Sequence, residues 1–63
     1  MKRNDLIKHL LREGCIFVRG GAKHSVFFNS LGKRISTVPR HNNIDNFLAE
    51  KICKDLGIRL SKK

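Results

Sequence analysis

Acidic residues are scarce in this sequence. Five Asp and Glu stand against 14 Lys and Arg in 63 residues, which gives a formal net charge of +9 with neutral histidines. A positive charge this large on so short a chain favours a polyanionic partner, and nucleic acid is the commonest one. The alternative is a solvated basic surface that only supports solubility, but few acids are present to offset the charge.

Long hydrophobic runs are absent as well. No segment approaches the roughly 20 apolar residues that a membrane-spanning helix requires. The opening residues, MKRND, lead into an amphipathic segment and do not resemble a signal peptide. We therefore expect a cytoplasmic protein without a membrane partner.

Cysteine is sparse and unpaired in the sequence. Cys15 and Cys53 lie far apart, form no CxxC motif and each adjoin an isoleucine. This setting predicts buried free thiols, as suits a reducing cytosol, and does not favour zinc ligands or a disulfide. The sequence predicts neither a metal site nor a cofactor.

The chain is also short, with no repeat, linker or second domain, so residues 1–63 are expected to form one domain. A domain of this size buries only about 60% of the surface of its unfolded chain. A deep enclosed pocket would compete with the core for the same residues. Function is therefore expected on an exposed face.

Hydrophobic spacing predicts an N-terminal helix. Asn4 is the expected cap, Gly14 the expected left-handed stop, and His9 is expected to face solvent. The apolar stripe comprises Leu6, Ile7, Leu10 and Leu11.

Three β-rich segments, 15–19, 24–29 and 34–38, are separated by glycine-containing turns and followed by Pro39. A last helix is expected after a cap at Asn42 or Asn43 and before Gly57. Its predicted stripe comprises Ile44, Phe47, Leu48, Ile52 and Leu56. The order predicts an α+β fold: a two-layer α-β-β-β-α domain, with a three-stranded antiparallel sheet and both helices on one face.

The segment Gly20-Gly21-Ala22-Lys23-His24 carries the strongest chemical signal. An imidazole, with an unperturbed pKa of about 6.5, serves as acid or base near neutrality. Lys23 adds positive charge if it still belongs to the turn, and backbone N–H groups of Gly20 and Gly21 are candidates to bind a phosphate oxygen. The alternative is a phosphate-contacting or structural His24.

RNA suits such a sparse site because its 2′-hydroxyl is the nucleophile. Cleavage then needs a base, an acid and positive charge at the phosphate, and no metal is obligatory. The second acid or base is left open among water, the RNA and His41, although His41 is more simply a loop residue. Ser25 lacks readable triad partners and is set aside as a nucleophile.

Basic and aromatic residues near these turns are the candidate RNA contacts. Phe27 or Phe28 is the best candidate for base stacking, because a small core needs most of the four phenylalanines. Lys2 and Arg3 are expected to be solvated terminal residues, as are Lys62 and Lys63. The residues expected to hold phosphates around His24 are Lys23, Lys33, Arg34 and Arg40, with His41 as a further RNA contact.

Taken together, the pattern resembles the HicA family of toxins from bacterial toxin–antitoxin pairs. The resemblance rests on the helix stop at Gly14, the glycine turn before His24, and the segments 38–41 (VPRH) and 55–58 (DLGI). The family's mark is a histidine after Gly-Ser or after Gly-Gly-Lys. The turn in this sequence differs from the second form by one small residue. The resemblance implies a fold related to double-stranded-RNA-binding domains, and mRNA cleavage with His24 as catalyst. It also implies a HicB-type antitoxin as partner.

Two other functions stay open from the residues alone. One is a non-catalytic module of the double-stranded-RNA-binding type, which would bind RNA in a salt-dependent way without cutting it. The other is a small scaffold whose basic face docks an acidic protein.

Overall fold

The order of elements is the predicted one. The computed structural model describes residues 1–21 and 23–60. Two helices flank three strands, which confirms the α+β, α-β-β-β-α prediction. The elements are α1 (Arg3–Arg12), β1 (Cys15–Gly20), β2 (His24–Asn29), β3 (Arg34–Pro39) and α2 (Asn46–Asp55).

The sheet is an antiparallel meander with β2 in the centre. His24 pairs with Pro39 at one end of β2, and Asn29 pairs with Arg34 at the other. Between β1 and β2 the register shifts, because Phe17 faces Phe27 and Arg19 already faces Val26. Val18 is therefore the extra residue of a β-bulge, and the bulge moves Arg19 onto the face that carries Val26.

Both helices cover one face of the sheet. Phe27 at the middle of β2 and Val38 on β3 are buried with residues of both helices. Ile16 and Ile35, on the opposite face with Phe28, are 52% and 61% exposed, so neither α1 nor α2 covers that side. The helical residues of the core are Leu6, Leu10, Ala49, Ile52 and Cys53, and Leu56 directly after α2 completes it.

The start and the buried face of α1 differ from the sequence prediction. The helix begins at Arg3 with Lys2 at the cap position, so Asn4 lies within the helix and does not cap it. His9, expected in solvent, is buried, and its Nε2–H donates to the carbonyl oxygen of Arg59. Leu11, expected in the apolar stripe, is 52% exposed. The segment after α2 therefore lies beside α1 at His9, which accounts for the burial of this imidazole.

The expected cap of α2 was also wrong. Asp45 occupies the cap position, so the helix starts after Asp45 and neither Asn42 nor Asn43 caps it. Ile44 is buried, but it lies before the helix and not on its stripe. Phe47 is 78% exposed, because the smaller Ala49 and Cys53 face the core instead.

The glycine stops are confirmed at both helices. Gly14 and Gly57 have φ of 95° and 75°, a left-handed region that suits glycine. After α2, Gly57 N–H donates to the Lys54 carbonyl and Ile58 N–H to the Cys53 carbonyl. This is the Schellman pattern, and Ile58 packs back against the core as expected.

The two cysteines are free and buried, as predicted. Burial raises the pKa of the Cys15 thiol, and the nearby Glu13 carboxylate adds to the effect. Burial, followed by the influence of Cys15 and Glu13, raises the pKa of the Cys53 thiol to about 11. Both thiols are therefore protonated at neutral pH and are weak nucleophiles.

Each helix has ten residues and is about 15 Å long. Among the described residues, then, no helix has the length and apolar character needed to span a bilayer.

A buried asparagine joins the sheet to the end of α2. The side chain of Asn29 is buried; its Nδ2 donates to the Leu56 carbonyl at 2.7 Å, and its Oδ1 accepts from the Leu31 N–H at 3.2 Å. From the sequence, Asn29 is only the end of a strand beside a turn. The structure shows that it satisfies two backbone groups that would otherwise lack these partners.

Replacing Asn29 by alanine is expected to destabilise the fold by about 1–3 kcal/mol, because it leaves a buried carbonyl without its donor. The measurement is urea unfolding followed by circular dichroism. Ser30→Ala, at the exposed neighbouring position, is the matched control and should change the free energy of unfolding little. Equal stability of Asn29→Ala and the control would contradict the structural role of this side chain.

Candidate nucleic-acid-cleaving site

The strand pairing brings four of the predicted site residues together. Lys23, His24, Arg40 and His41 line one surface cleft of about 490 Å³, with Pro39 between them; we call it the His24 cleft. His24 opens β2 directly opposite Pro39, the last residue of β3. Residues that follow β3 therefore lie beside the residues that precede β2.

Lys23 and His24 converge because Lys23 still belongs to the turn. β2 begins at His24, so the alternation of a regular strand does not force Lys23 to the opposite face. The Arg40 N–H donates to the Lys23 carbonyl at 3.2 Å, which joins the two walls of the cleft. Both side chains and His24 are exposed to solvent.

His41 lies in this cleft as well. The sequence left open whether it is only a loop residue, because nothing in the chain fixed its distance from His24. The structure places two imidazoles, one lysine and one arginine around one open cleft. This set supplies candidates for an acid, a base and the positive charge that phosphate chemistry requires.

Arg3 stabilises the strand ends that form the His24 cleft. Its Nε donates to the Pro39 carbonyl and its Nη2 donates to the Ser25 hydroxyl, each at 2.9 Å. Ser25 follows His24, and Pro39 pairs with His24, so Arg3 ties α1 to both strands at the cleft. Ser25 is buried, which removes it from the surface where a substrate would bind.

Arg3 was expected to be a solvated terminal residue. Instead it is half-buried and bonded, so that expectation was wrong. Its partners lie more than 20 residues away in the sequence, and no local pattern signals them.

Lys33 and Arg34 do not join the cleft. Arg34 pairs with Asn29, whereas His24 pairs with Pro39 at the opposite end of the same strands. Five residue steps along a strand separate the two ends by about 17 Å. The expectation that these cations surround His24 was therefore wrong, and any contact they make with RNA lies away from it.

The backbone N–H groups of Gly20 and Gly21, expected to bind a phosphate oxygen, are not both free for that role. The Gly21 N–H donates to the His24 carbonyl at 2.7 Å and closes the hairpin, so this donor is already in use. Gly20 is the last residue of β1 and pairs with Ser25, so it belongs to the sheet and not to the turn. Ala22 lies outside the described residues.

Gly20 has a different role, which sequence analysis did not find. A β-carbon at this position would overlap Nη2 of Arg40, so the lack of a side chain lets Arg40 cross the end of β1.

The bulge in β1 contributes a further cation to the face of the sheet that carries Val26. Arg19 lies opposite Val26, which is two residues from His24 along β2.

The aromatic residues are distributed differently from the prediction. Phe27 is 2% exposed and packs edge-to-face on Phe17, so it is excluded from base stacking. Phe28 is half-buried on the uncovered face of the sheet. Phe17 and Phe47 are 54% and 78% exposed, so both rings keep surface that is accessible to solvent.

Within residues 1–21 and 23–60, no three His, Cys, Asp or Glu side chains are grouped as metal ligands would be.

Residues 3–58 match the family model described as the HicA toxin of bacterial toxin–antitoxin systems. No curated protein and no solved structure matches the chain. The matched range contains all the residues of the His24 cleft.

Gly20→Ala is expected to displace Arg40 while leaving the fold intact. The overlapping atom is the end of a flexible side chain, and alanine is a better strand residue than glycine. We expect an unchanged or slightly higher melting temperature and several-fold weaker binding of an RNA oligonucleotide, measured by fluorescence anisotropy.

Gly32→Ala is the matched control for this substitution, because a β-carbon there would meet its nearest neighbour at an ordinary 3.5 Å. Equal RNA affinity of wild type, Gly20→Ala and Gly32→Ala would show that the position of Arg40 does not matter for binding.

Proposed function

The chain belongs to the HicA family of toxins, and on that premise we propose that it is a metal-independent endoribonuclease acting on mRNA in the cytoplasm. The observation that carries the proposal is the exposed His24 at the mouth of β2, in one cleft with Lys23, Arg40 and His41. Membership of a toxin family supports the biological role, and the residues of the cleft support the proposed chemistry.

In the proposed reaction, the 2′-oxygen of a ribose attacks the adjacent phosphorus and the bond from phosphorus to the 5′-oxygen breaks. A base takes the proton of the 2′-hydroxyl, and an acid gives a proton to the departing 5′-oxygen. The products are a 2′,3′-cyclic phosphate and a 5′-hydroxyl end. No oxidant, metal or added nucleophile enters this balance.

His24 is proposed as one of the two proton-transfer groups, because its imidazole is exposed in the cleft and an imidazole can act as a general acid or as a general base. His41 is the proposed partner, since it lines the same cleft. Lys23 and Arg40 are proposed to stabilise the negative charge that develops on the phosphate oxygens.

His24→Ala is expected to lower the cleavage rate by at least about a hundredfold, because it removes a proton-transfer group. Cleavage of a fluorogenic RNA is measured in EDTA, after circular dichroism has verified folding, and RNA binding by the variant is measured separately. His9→Ala is not a suitable control, because His9 is buried and bonded to Arg59. Lys8→Ala, on the exposed side of α1, is preferred.

Three results would contradict the proposal. Loss of wild-type cleavage in EDTA would show a metal requirement. Equal cleavage by wild type and His24→Ala would move the chemistry elsewhere, with His41 the next residue to test. RNA binding without any cleavage would favour the non-catalytic double-stranded-RNA-binding module.

We further infer that a HicB-type antitoxin covers the cleft. The family consists of toxins from toxin–antitoxin pairs. The net charge of +9 favours an acidic partner surface, and the basic His24 cleft is the part of the molecule whose coverage would stop cleavage.

The candidate antitoxin is the small acidic protein expected from a neighbouring reading frame. One equivalent of it should abolish cleavage, and its association rate should fall steeply as salt is raised, because opposite charges steer the encounter. Arg40→Glu should slow association more than Lys8→Glu does. Association that is insensitive to both salt and Arg40→Glu would show that the antitoxin binds elsewhere.

A further inference from the structure

A second cleft adjoins the His24 cleft and shares Arg40 with it. Its volume is about 420 Å³, within the range of about 300–1,000 Å³ typical of small-molecule sites. Three cationic and three amide side chains surround it. We call it the N-terminal cleft, and its lining comprises Lys2, Arg3, Asn4, Arg40, Asn42 and Asn43.

The walls of the N-terminal cleft are joined by backbone hydrogen bonds. The Arg3 N–H donates to the Asn42 carbonyl at 2.9 Å, and the Ile44 N–H donates to the Met1 carbonyl at 2.7 Å. Lys2 and Asn43 form an antiparallel bridge between these two bonds. The backbone that carries Lys2 is therefore paired with the loop before α2, while its side chain is exposed to solvent.

The lining is suited to an anion. No carboxylate is present among the described residues that line the cleft. Arg3 uses Nε and Nη2 to hold Pro39 and Ser25, so it contributes positive charge mainly from a fixed position. Lys2 is exposed and supplies an ammonium group on a flexible stem, which suits the contact of a point charge with a phosphate.

The N-terminal cleft adjoins the His24 cleft, and this position favours a polyanion over a single small anion. Arg40 lines both clefts, so an anion in one lies next to an anion in the other. A polyanion with regularly spaced charges can place one charge in each cleft at the same time. A single free phosphate can occupy only one of them. Two adjoining basic clefts on one surface suit a nucleic-acid backbone, whose successive phosphates follow a positively charged groove.

We propose that the N-terminal cleft is a phosphate subsite for the RNA strand as it leaves the His24 cleft, with Lys2 as its principal cation. This inference rests on the proposed function for the identity of the polymer. It assigns a binding role to the N-terminal segment, away from the reacting phosphate. Lys2 grips the strand and takes no part in proton transfer.

The test uses a fluorescently labelled, single-stranded 2′-O-methyl RNA octamer, which lacks the attacking hydroxyl and stays intact during binding. Its affinity for wild type, Lys2→Gln, Lys2→Arg and Lys8→Gln is measured by anisotropy across a series of salt concentrations. Lys8→Gln removes the same charge from the exposed side of α1 and is the matched control. Circular dichroism verifies that each variant folds.

Loss of one phosphate contact on a single strand should reduce the slope of log K against log salt by about 0.7, which corresponds to about fivefold weaker binding at 0.1 M salt. We expect this change for Lys2→Gln and not for Lys8→Gln, with Lys2→Arg close to wild type. With a cleavable RNA of the same length, Lys2→Gln should raise KM and leave kcat unchanged.

An unchanged slope for Lys2→Gln, or an equal reduction for Lys8→Gln, would overturn the subsite. Failure of the wild type to bind the octamer would overturn it too. The octamer cannot be cut by attack of its own 2′-oxygen, so this result is independent of catalysis. A normal Lys2 effect in a protein that cleaves no RNA would disprove the proposed nuclease and leave a phosphate subsite that serves RNA binding alone.

Discussion

Antiparallel pairing on both sides of β2 is the constraint on which the rest of the structure depends. β1 pairs along one side of β2 and β3 along the other. The pairing of His24 with Pro39 places the end of β3 beside the start of β2, so residues 23–24 and 39–41 meet in one cleft. The same strand contributes Phe27 to the core that residues of both helices complete, so the core and the cleft share one six-residue element.

Four cationic side chains line two adjoining clefts at this end of the sheet. Lys23 and Arg40 meet in one cleft, and Lys2 and Arg3 join Arg40 in the next. Gathering like charges costs folding free energy, and exposure to water and salt screens much of this cost. A bound polyanion or an acidic protein surface relieves the repulsion. The features that make the domain basic therefore also favour a polyanionic partner.

The candidate site could be predicted only in part, because its residues come from two separate segments, 23–24 and 39–41. His24 and Lys23 were found because a glycine turn, a cation and a histidine stand next to one another in the chain. Arg40 was found as a basic residue after a strand-ending proline. Lys33 and Arg34 were assigned to the same place by an identical argument, but the register puts them at the far end of the sheet. Charge and turn chemistry are local properties, whereas the choice between the two ends depends on the strand pairing.

The sequence by itself determined the order of the elements, the glycine stops at Gly14 and Gly57 and the buried cysteines, because hydrophobic spacing and backbone preference act over a few residues. Only the tertiary structure decided which faces are covered. It buried His9 against the Arg59 carbonyl and left Phe47 exposed. It also bonded Arg3 to the two strands at the cleft and set Lys2 beside Asn43. These outcomes depend on contacts between residues far apart in the chain, and no periodicity within one segment encodes such contacts.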